Sequence, residues 1–578
     1  MTTNCSRLLW CCIWGLNTHV SVVAFTSGGI RNNVSYRERK ADATTLHLDG
    51  EGMAGATFNK HILGDVLRAL QPGYLSQMKE SIAGNIKAPT ELQLDPLQKF
   101  VDKSGKDIPS WENLENMLRS QQTPGEKSFR DRLEEGLEHS ALAKKRDFPN
   151  TPVSVTFYKD AASWCPYCQK VWIALEEKQI PYNVVKVDMN CYAGRSKPSD
   201  FLKIQPSGSL PCVVFNDGSK ETVVAESDDI LAVIDKFNPV SKGTDLLPEI
   251  DSEEMEYMKF LCDDGRNSLE RRLYAEWMWY LTGKRKPVEY RERYSAMLDE
   301  VESVLADSSG PFFTGKEISM ADIKFIPFLE RQIATLLYYK GFIVRDESKW
   351  PNICKWIQEM EKRPSYQATK SDVYTHTRAL PPQISAECIF APDKGFVESK
   401  NAIDAYCLPT IMKAAPQDLL WRESGWEQPT KTHRKEAAER IIFNRDSIVK
   451  FASRAAGKPG LPAAAAPLAD PRATSNDVAQ LAVDIFLRLT IQRLLQKDAF
   501  LFTKKDLLKE AGAALAMGSE DTSLTIVDCL DYLRQRIGVP RDMSYPAAQE
   551  LRAELLHVST LIESESAVLA LAETSLLN

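Results

Sequence analysis

An α/β domain joined to an all-helical domain, with further mainly helical segments before and after, is the fold class that the sequence predicts. Three observations carry this expectation. Residues 151–240 alternate short β-branched and aromatic runs with amphipathic helical stretches. Residues 250–378 show no strand pattern, and their apolar positions recur at helical spacing. Beyond residue 380 a turn-rich stretch gives way to amphipathic segments, broken by an Ala/Pro/Gly-rich linker at about 457–475.

The chain has 578 residues, enough for roughly three domains. Hydrophobic residues make up 43% and charged residues 26%, so most of it should bury ordinary cores. Lys and Arg number 72 against 79 Asp and Glu, a net charge of −7, and a nucleic-acid partner is therefore not expected. Twelve cysteines are too sparse for a disulfide scaffold and fit a reducing compartment.

Residues 1–45 read as a removable leader. Arg7 precedes a short apolar run, Leu8 to Leu16, of signal-peptide length. A stretch holding Arg31, Arg37 and Arg39, with Glu38 and Asp42 as its acids, follows. The order, with Phe25 just after Ala24, resembles the bipartite plastid-targeting leaders of diatoms and related algae. Plastid delivery is the expectation, with plain secretion as the alternative. No later segment is long and apolar enough to span a bilayer, so no membrane association is expected of the mature chain.

Residues 46–150 form an N-terminal helical extension, with helices expected at Asn59–Leu70, Ser110–Leu118 and Glu126–Lys145. In 151–240, strand 153–158 leads into helix 166–178, then strand Tyr182–Val187, a short helix near 198–203 and strand Cys212–Phe215. The turn Asn216-Asp217-Gly218 makes a hairpin with Thr222–Val224, and helix Ser227–Phe237 closes the unit. This βαβ-hairpin-α order is thioredoxin-like. In the helical domain, Glu253–Tyr280, Tyr290–Leu305, a helix opened by the capping box Ser319-x-x-Asp322, and Trp350–Pro364 follow in turn. In the C-terminal extension, 380–578, helices are expected at Thr432–Ala455 and near 476–496, 522–536 and 545–576.

The chemistry concentrates at Cys165-Pro166-Tyr167-Cys168. The box sits between the first strand and its helix, with Cys165 at the N-cap and Pro166 at the first helical position. Unpaired N–H groups and the positive end of the helix dipole stabilise a thiolate there. A zinc pair is the alternative for such a box, but no second CxxC or paired His run accompanies it, and no metal site is expected.

Residues 151–375 resemble a cysteine-type glutathione S-transferase of the omega-like branch. The resemblance rests on four segments. They are the box at Cys165, the segment Lys197 to Pro211 that ends in the cis-proline, the pair Glu226-Ser227, and the capping box Ser319-x-x-Asp322. With the extensions added, the whole resembles the iota class, found in cyanobacteria and plastid-bearing lineages. The resemblance implies an α/β thioredoxin-like domain plus the all-α glutathione transferase C-terminal domain. It implies that Cys165 is the nucleophile, and that Lys197, Leu210, Pro211, Glu226 and Ser227 bind glutathione. Lys197 would face the glycyl carboxylate, Leu210 would offer its main chain to the cysteinyl moiety, and Glu226 and Ser227 would hold the γ-glutamyl end. Leu210 stands where the family usually has Val, a mild departure because the contact uses main-chain atoms.

The implied function is a glutathione-dependent thiol transferase or reductase, acting on small electrophilic, disulfide or glutathionylated substrates or on dehydroascorbate. Two readings stand beside it: a glutathione-binding scaffold without turnover, and an iron–sulfur cluster carrier ligated by Cys165 and glutathione. Cys168 either resolves a disulfide or packs inertly under the helix. The acceptor wall is expected from the 250–375 helices, with Trp277 and Tyr280 as candidates, and a homodimer is the expected assembly.

Overall fold

The computed structural model describes residues 108–148, 155–188, 197–216, 218–237, 245–249, 252–263, 265–384, 387–404, 430–458, 460, 473–496 and 520–576. The expected leader at 1–45, the helix at 59–70, the turn residue Asp217 and most of the linker at 457–475 lie outside these residues.

The described strands form one sheet in the order β1-β3-β2-β4-β5. They are β1 (Lys145–Arg146), β2 (Val155–Asp160), β3 (Tyr182–Val187), β4 (Cys212–Asn216) and β5 (Glu221–Ala225). β2 and β3 run parallel, whereas β4 is antiparallel to β2 and β5 to β4. The parallel pair needs a crossover, and helix α3 supplies it.

The helices in chain order are α1 (Trp111–Gln121), α2 (Pro124–Glu135), α3 (Pro166–Glu177), α4 (Ser199–Ile204) and α5 (Ser227–Lys236). The helical domain holds α6 (Glu253–Met258), α7 (Leu269–Thr282), α8 (Pro287–Asp307), α9 (Met320–Lys340), α10 (Pro351–Glu361), α11 (Pro364–Gln367) and α12 (Val373–Ala379). Beyond it lie α13 (Val397–Asp404), α14 (Lys431–Phe443), α15 (Arg445–Ala452), α16 (Asp477–Gln496), α17 (Glu520–Arg534) and α18 (Tyr545–Leu576).

Three expected helices differ. The charged helix read over Glu126–Lys145 stops at Glu135, because Gly136 takes φ 84° and the N–H of Leu137 closes back on the carbonyl of Arg132. The chain beyond it turns to place Lys145 and Arg146 as an edge strand against Tyr182 and Asn183. The helix read over Glu253–Tyr280 is interrupted by a π turn at Lys259–Asp263 and a 3₁₀ turn at Gly265–Asn267, where Gly265 has φ 49°. Thr432–Ala455 divides at Asn444 into α14 and α15.

Two large apolar cores result. The first joins the sheet to the helical domain and contains Phe157, Val171, Ile230, Leu273, Ile323 and Trp356. The second gathers Leu114 and Leu118 of α1 with Ala438, Ile442, Phe486 and Leu551 of the C-terminal extension. The two chain extensions therefore share one core. Trp111 Nε1 donates to Asp484 Oδ1 at 2.6 Å, and Lys435 Nζ donates to Glu126 Oε2 at 2.6 Å. No helix among the described residues is long and apolar enough to cross a membrane.

Candidate active site

Strand register gathers the sequence-predicted site at one edge of the sheet. Tyr158 pairs with Cys212, and Cys212 with Ala225, so the C-terminal ends of β2 and β5 and the start of β4 lie in one line across three strands. At about 4.8 Å per strand, that line is roughly 10 Å long. Cys165 follows β2, Pro211 immediately precedes β4, and Glu226 immediately follows β5.

Cys165 is the N-cap of α3 with Pro166 at its first turn, as the sequence predicts. The Cys165 thiol lies below its ordinary range, chiefly because of the Cys168 side chain, whose sulfur lies within 4.8 Å. Burial and the neighbouring carboxylate of Asp160 oppose the shift, while the N–H of Cys168 and the charge of Arg331 reinforce it. Cys168 moves the other way. Burial, above all, and the neighbouring Cys165 sulfur push it well above the usual thiol range. The pair is thus divided into a sulfur that favours the thiolate and one that keeps its proton, and Cys168 is only 1% exposed.

A buried polar network from α9 underlies the box. Arg331 Nη2 donates to the carbonyl of Trp164 at 2.5 Å, and its Nη1 donates to Gln169 Oε1 at 2.9 Å. Gln169 Nε2 in turn donates to Glu330 Oε2 at 3.0 Å, and His376 Nε2 lies 2.6 Å from Glu330 Oε1. Burial would raise the Glu330 carboxyl, but His376, Arg331 and the N–H of Ser371 bring it down to about 2. Asp160 Oδ2 accepts the N–H of Trp164 at 2.8 Å and fixes the entry to the box from the strand side. The motifs do not reveal these residues, since Arg331 lies 167 positions from Trp164 in sequence.

The other predicted residues are placed as follows. Lys197 is buried and packs beside Gly208, which has φ 69°. The Leu210–Pro211 peptide is cis. Glu226 has φ 68° at the N-cap of α5, and Ser227 is buried in its first turn. Burial, with Asp229 and Asp228 nearby, raises the Glu226 carboxyl to about 7. Cys212 is fully buried against Val187 and Phe201, and burial lifts its thiol to about 11. Asp228 lies between Lys170 Nζ, 2.7 Å away, and Lys324 Nζ, 3.2 Å away.

Trp277 and Tyr280 are core residues and do not line the site. Trp277 is 1% exposed with Nε1 bonded to Thr335, and Tyr280 packs on Tyr294 and Phe342. The aromatic residue of the box instead meets Phe328. Tyr167 and Phe328 lie edge to face at 5.4 Å, Tyr274 packs on the same ring, and Arg271 lies over it at 4.7 Å.

Comparison with known proteins adds the family. The profile of the glutathione S-transferase N-terminal domain matches residues 164–236, and that of the C-terminal domain matches 269–359. Glutathione S-transferase L1 of Arabidopsis thaliana is 30% identical over 213 residues, which cover 36% of this chain and 79% of that protein. The chain belongs to the glutathione S-transferase family. A second relative of the transferase is the chloroplastic glutathione S-transferase DHAR3 of Arabidopsis thaliana, 27% identical over 210 residues, covering 36% of this chain and 69% of the relative. Among solved structures, the glutathione transferase Omega 3C of Trametes versicolor is 25% identical, covers 38% of this chain and 91% of that chain, and has a TM-score of 0.32. The transferase is an enzyme of a family that uses glutathione as substrate, and the two family domains end at residue 359.

Proposed function

We propose that the transferase is a glutathione-dependent thiol transferase in which the thiolate of Cys165 is the nucleophile. One observation carries this reading: Cys165 is the N-cap of α3 with the Cys168 sulfur within 4.8 Å, a setting that favours its thiolate. The thiolate attacks the glutathionyl sulfur of a mixed disulfide, forms Cys165–S–S–glutathione and releases the substrate thiolate. A second glutathione thiolate attacks that disulfide, leaves as oxidised glutathione and restores the Cys165 thiolate. Reduction of dehydroascorbate fits the same cycle, with two glutathione thiols supplying the two electrons.

In this reading Lys197 faces the glycyl carboxylate, Leu210 and Pro211 present main chain to the cysteinyl unit, and Glu226 and Ser227 hold the γ-glutamyl end. Cys168 stays a thiol and does not resolve the disulfide, because burial disfavours its thiolate. Plastid delivery and a homodimer belong to the same proposal. A fluorescent fusion of residues 1–45 tests the first and sedimentation velocity the second.

The deciding experiment compares Cys165→Ser with Cys168→Ser on a glutathione mixed disulfide. Cys165→Ser should lose turnover, while Cys168→Ser should keep it at a lower rate. Full activity in Cys165→Ser would overturn the reading. A wild type that binds glutathione-agarose without turnover would favour the scaffold.

A further inference from the structure

Asp160 ends β2, five positions before Cys165, and is 1% exposed. Its Oδ2 accepts the N–H groups of Trp164, at 2.8 Å, and Cys165, at 3.4 Å. Its Oδ1 is buried without a hydrogen-bond partner. Buried carboxylate oxygens normally find a donor, so an orphan of this kind calls for a reason. The surroundings supply one. An oxygen of Asp160 and the sulfurs of Cys165 and Cys168 all lie within 4.8 Å of one another, and all three residues are buried.

We propose that Asp160, Cys165 and Cys168 form a binding site for a thiophilic divalent cation, zinc in the cell. Zinc takes sulfur at about 2.3 Å and carboxylate oxygen at about 2.0–2.2 Å, which places tetrahedral donors roughly 3.5–3.8 Å apart. Closing the cluster by at most about 1.3 Å therefore completes three corners of the tetrahedron. The fourth corner stays open to an added ligand, for which a free thiol such as that of glutathione is chemically suited. Two sulfurs and one oxygen suit a borderline-soft ion and not magnesium or calcium, which favour oxygen-only shells.

Charge bears on the same assignment. Once both thiols ligate, each passing its proton to solvent, two thiolates and a carboxylate carry three negative charges. A divalent cation offsets two of them, and the guanidinium of Arg331, which Glu330 shares, is bonded to the carbonyl just before Cys165. The sequence hides this site, because its third ligand lies outside the CxxC box on the preceding strand. The proposal does not depend on the thiol-transfer reading, although metal on Cys165 would block that reaction.

The test uses the full chain, reduced and handled without oxygen. Cobalt(II) is titrated in while absorption is followed, and zinc affinity is then measured by competition with a chromogenic chelator. The expected result is one cation per chain, with thiolate-to-cobalt charge transfer and the visible bands of a tetrahedral centre. Cys168→Ser should show the charge transfer of a single thiolate, and Cys165→Ser/Cys168→Ser should show none. Asp160→Asn should keep the charge transfer and bind zinc more weakly by roughly tenfold or more. The wild-type spectrum reports sulfur ligation even where a variant misfolds, a point checked by far-UV circular dichroism. Absence of a stoichiometric tetrahedral site in the wild type, its persistence in the double cysteine variant, or unchanged affinity in Asp160→Asn would overturn the proposal. None of these readouts uses turnover, so failure of the thiol-transfer reading would be seen separately.

Discussion

Arg331 Nη2 donates to the carbonyl oxygen of Trp164 at 2.5 Å, so a helix of the second domain holds the residue that precedes Cys165. Arg331 is 2% exposed and also bonds Gln169 on the helix that Cys165 caps. Replacing it with Met would strand the Trp164 carbonyl and Gln169 Oε1 and would take a positive neighbour from Glu330. Arg331→Met should lose about 3–5 kcal/mol of stability, the cost of breaking one side of a buried charged network. Urea unfolding measures the loss. Cys165 also loses a nearby cation, so its alkylation by iodoacetamide at neutral pH should slow. Arg331→Lys should recover part of that rate but less of the stability, because an ammonium lacks the planar fork.

Glutathione binding should strengthen as pH rises through about 7. Burial, Asp229 and Asp228 raise the Glu226 carboxyl to about 7. In the proposed binding mode, Glu226 is protonated and neutral below that pH and would give the γ-glutamyl ammonium only a dipole. Above it the carboxylate supplies a full negative charge. KM for glutathione should therefore fall between pH 6 and pH 8, and Glu226→Gln should flatten that dependence. A slope unchanged in Glu226→Gln would assign the effect to another group.

The α/β unit was largely legible because each of its parts leaves a local signature. Tyr182–Val187 is a β-branched run, Asn216 to Gly218 is turn chemistry, and Pro166 marks the first turn of a helix. Ser319 and Asp322 show their capping box at a spacing of three, and the carboxylate of Asp322 accepts the N–H of Ser319 at 2.8 Å. The rest had no such signature. Lys145 and Arg146 make an edge strand from two charged residues, which no alternation can reveal. Asp160 and Arg331 meet the box only after the strand, α3 and α9 have packed together. Trp277 and Tyr280 misled for a related reason: helical spacing says that an aromatic faces inward, and not whether inward means a core or a cleft.

A side chain at Gly136 should destabilise the fold. Its φ is 84°, and a Cβ there would come within 2.9 Å of the Lys145 side chain and 3.2 Å of the Lys145 carbonyl. Gly136→Ala should cost about 1–2 kcal/mol from the left-handed backbone alone. The strain would fall on the turn that delivers β1 to the sheet. Hydrogen exchange should therefore show lost protection first at Val184, whose N–H bonds the Lys144 carbonyl, and not in α3.

The C-terminal extension should unfold together with the transferase domains, because one buried ion pair joins them. Arg552 of α18 donates to Asp372 Oδ2 at 2.5 Å, with the two side chains 2% and 1% exposed. Asp372 also caps α12, accepting the N–H of Thr375, and α12 carries the His376 that meets Glu330. Burial alone would raise the Asp372 carboxyl, but Arg552 and Thr375 outweigh it and hold it below its ordinary value. A depressed carboxyl contributes stability above its unfolded pKa, about 3.9, and loses it as pH falls through the folded value. In Arg552→Ala the carboxylate stays buried without its partner, at a cost of about 3–5 kcal/mol near pH 7. Its pKa then rises above the unfolded value, so protonation relieves the cost as the solution is acidified. The gap in urea midpoint between wild type and Arg552→Ala should accordingly narrow from pH 7 to pH 5. Arg552→Met combined with Asp372→Asn should recover much of the loss, since neither charge is then left buried. A gap that stays constant with pH would show that Arg552 acts through its packing on Tyr374, whose ring lies 4.3 Å from the guanidinium carbon, and not through Asp372.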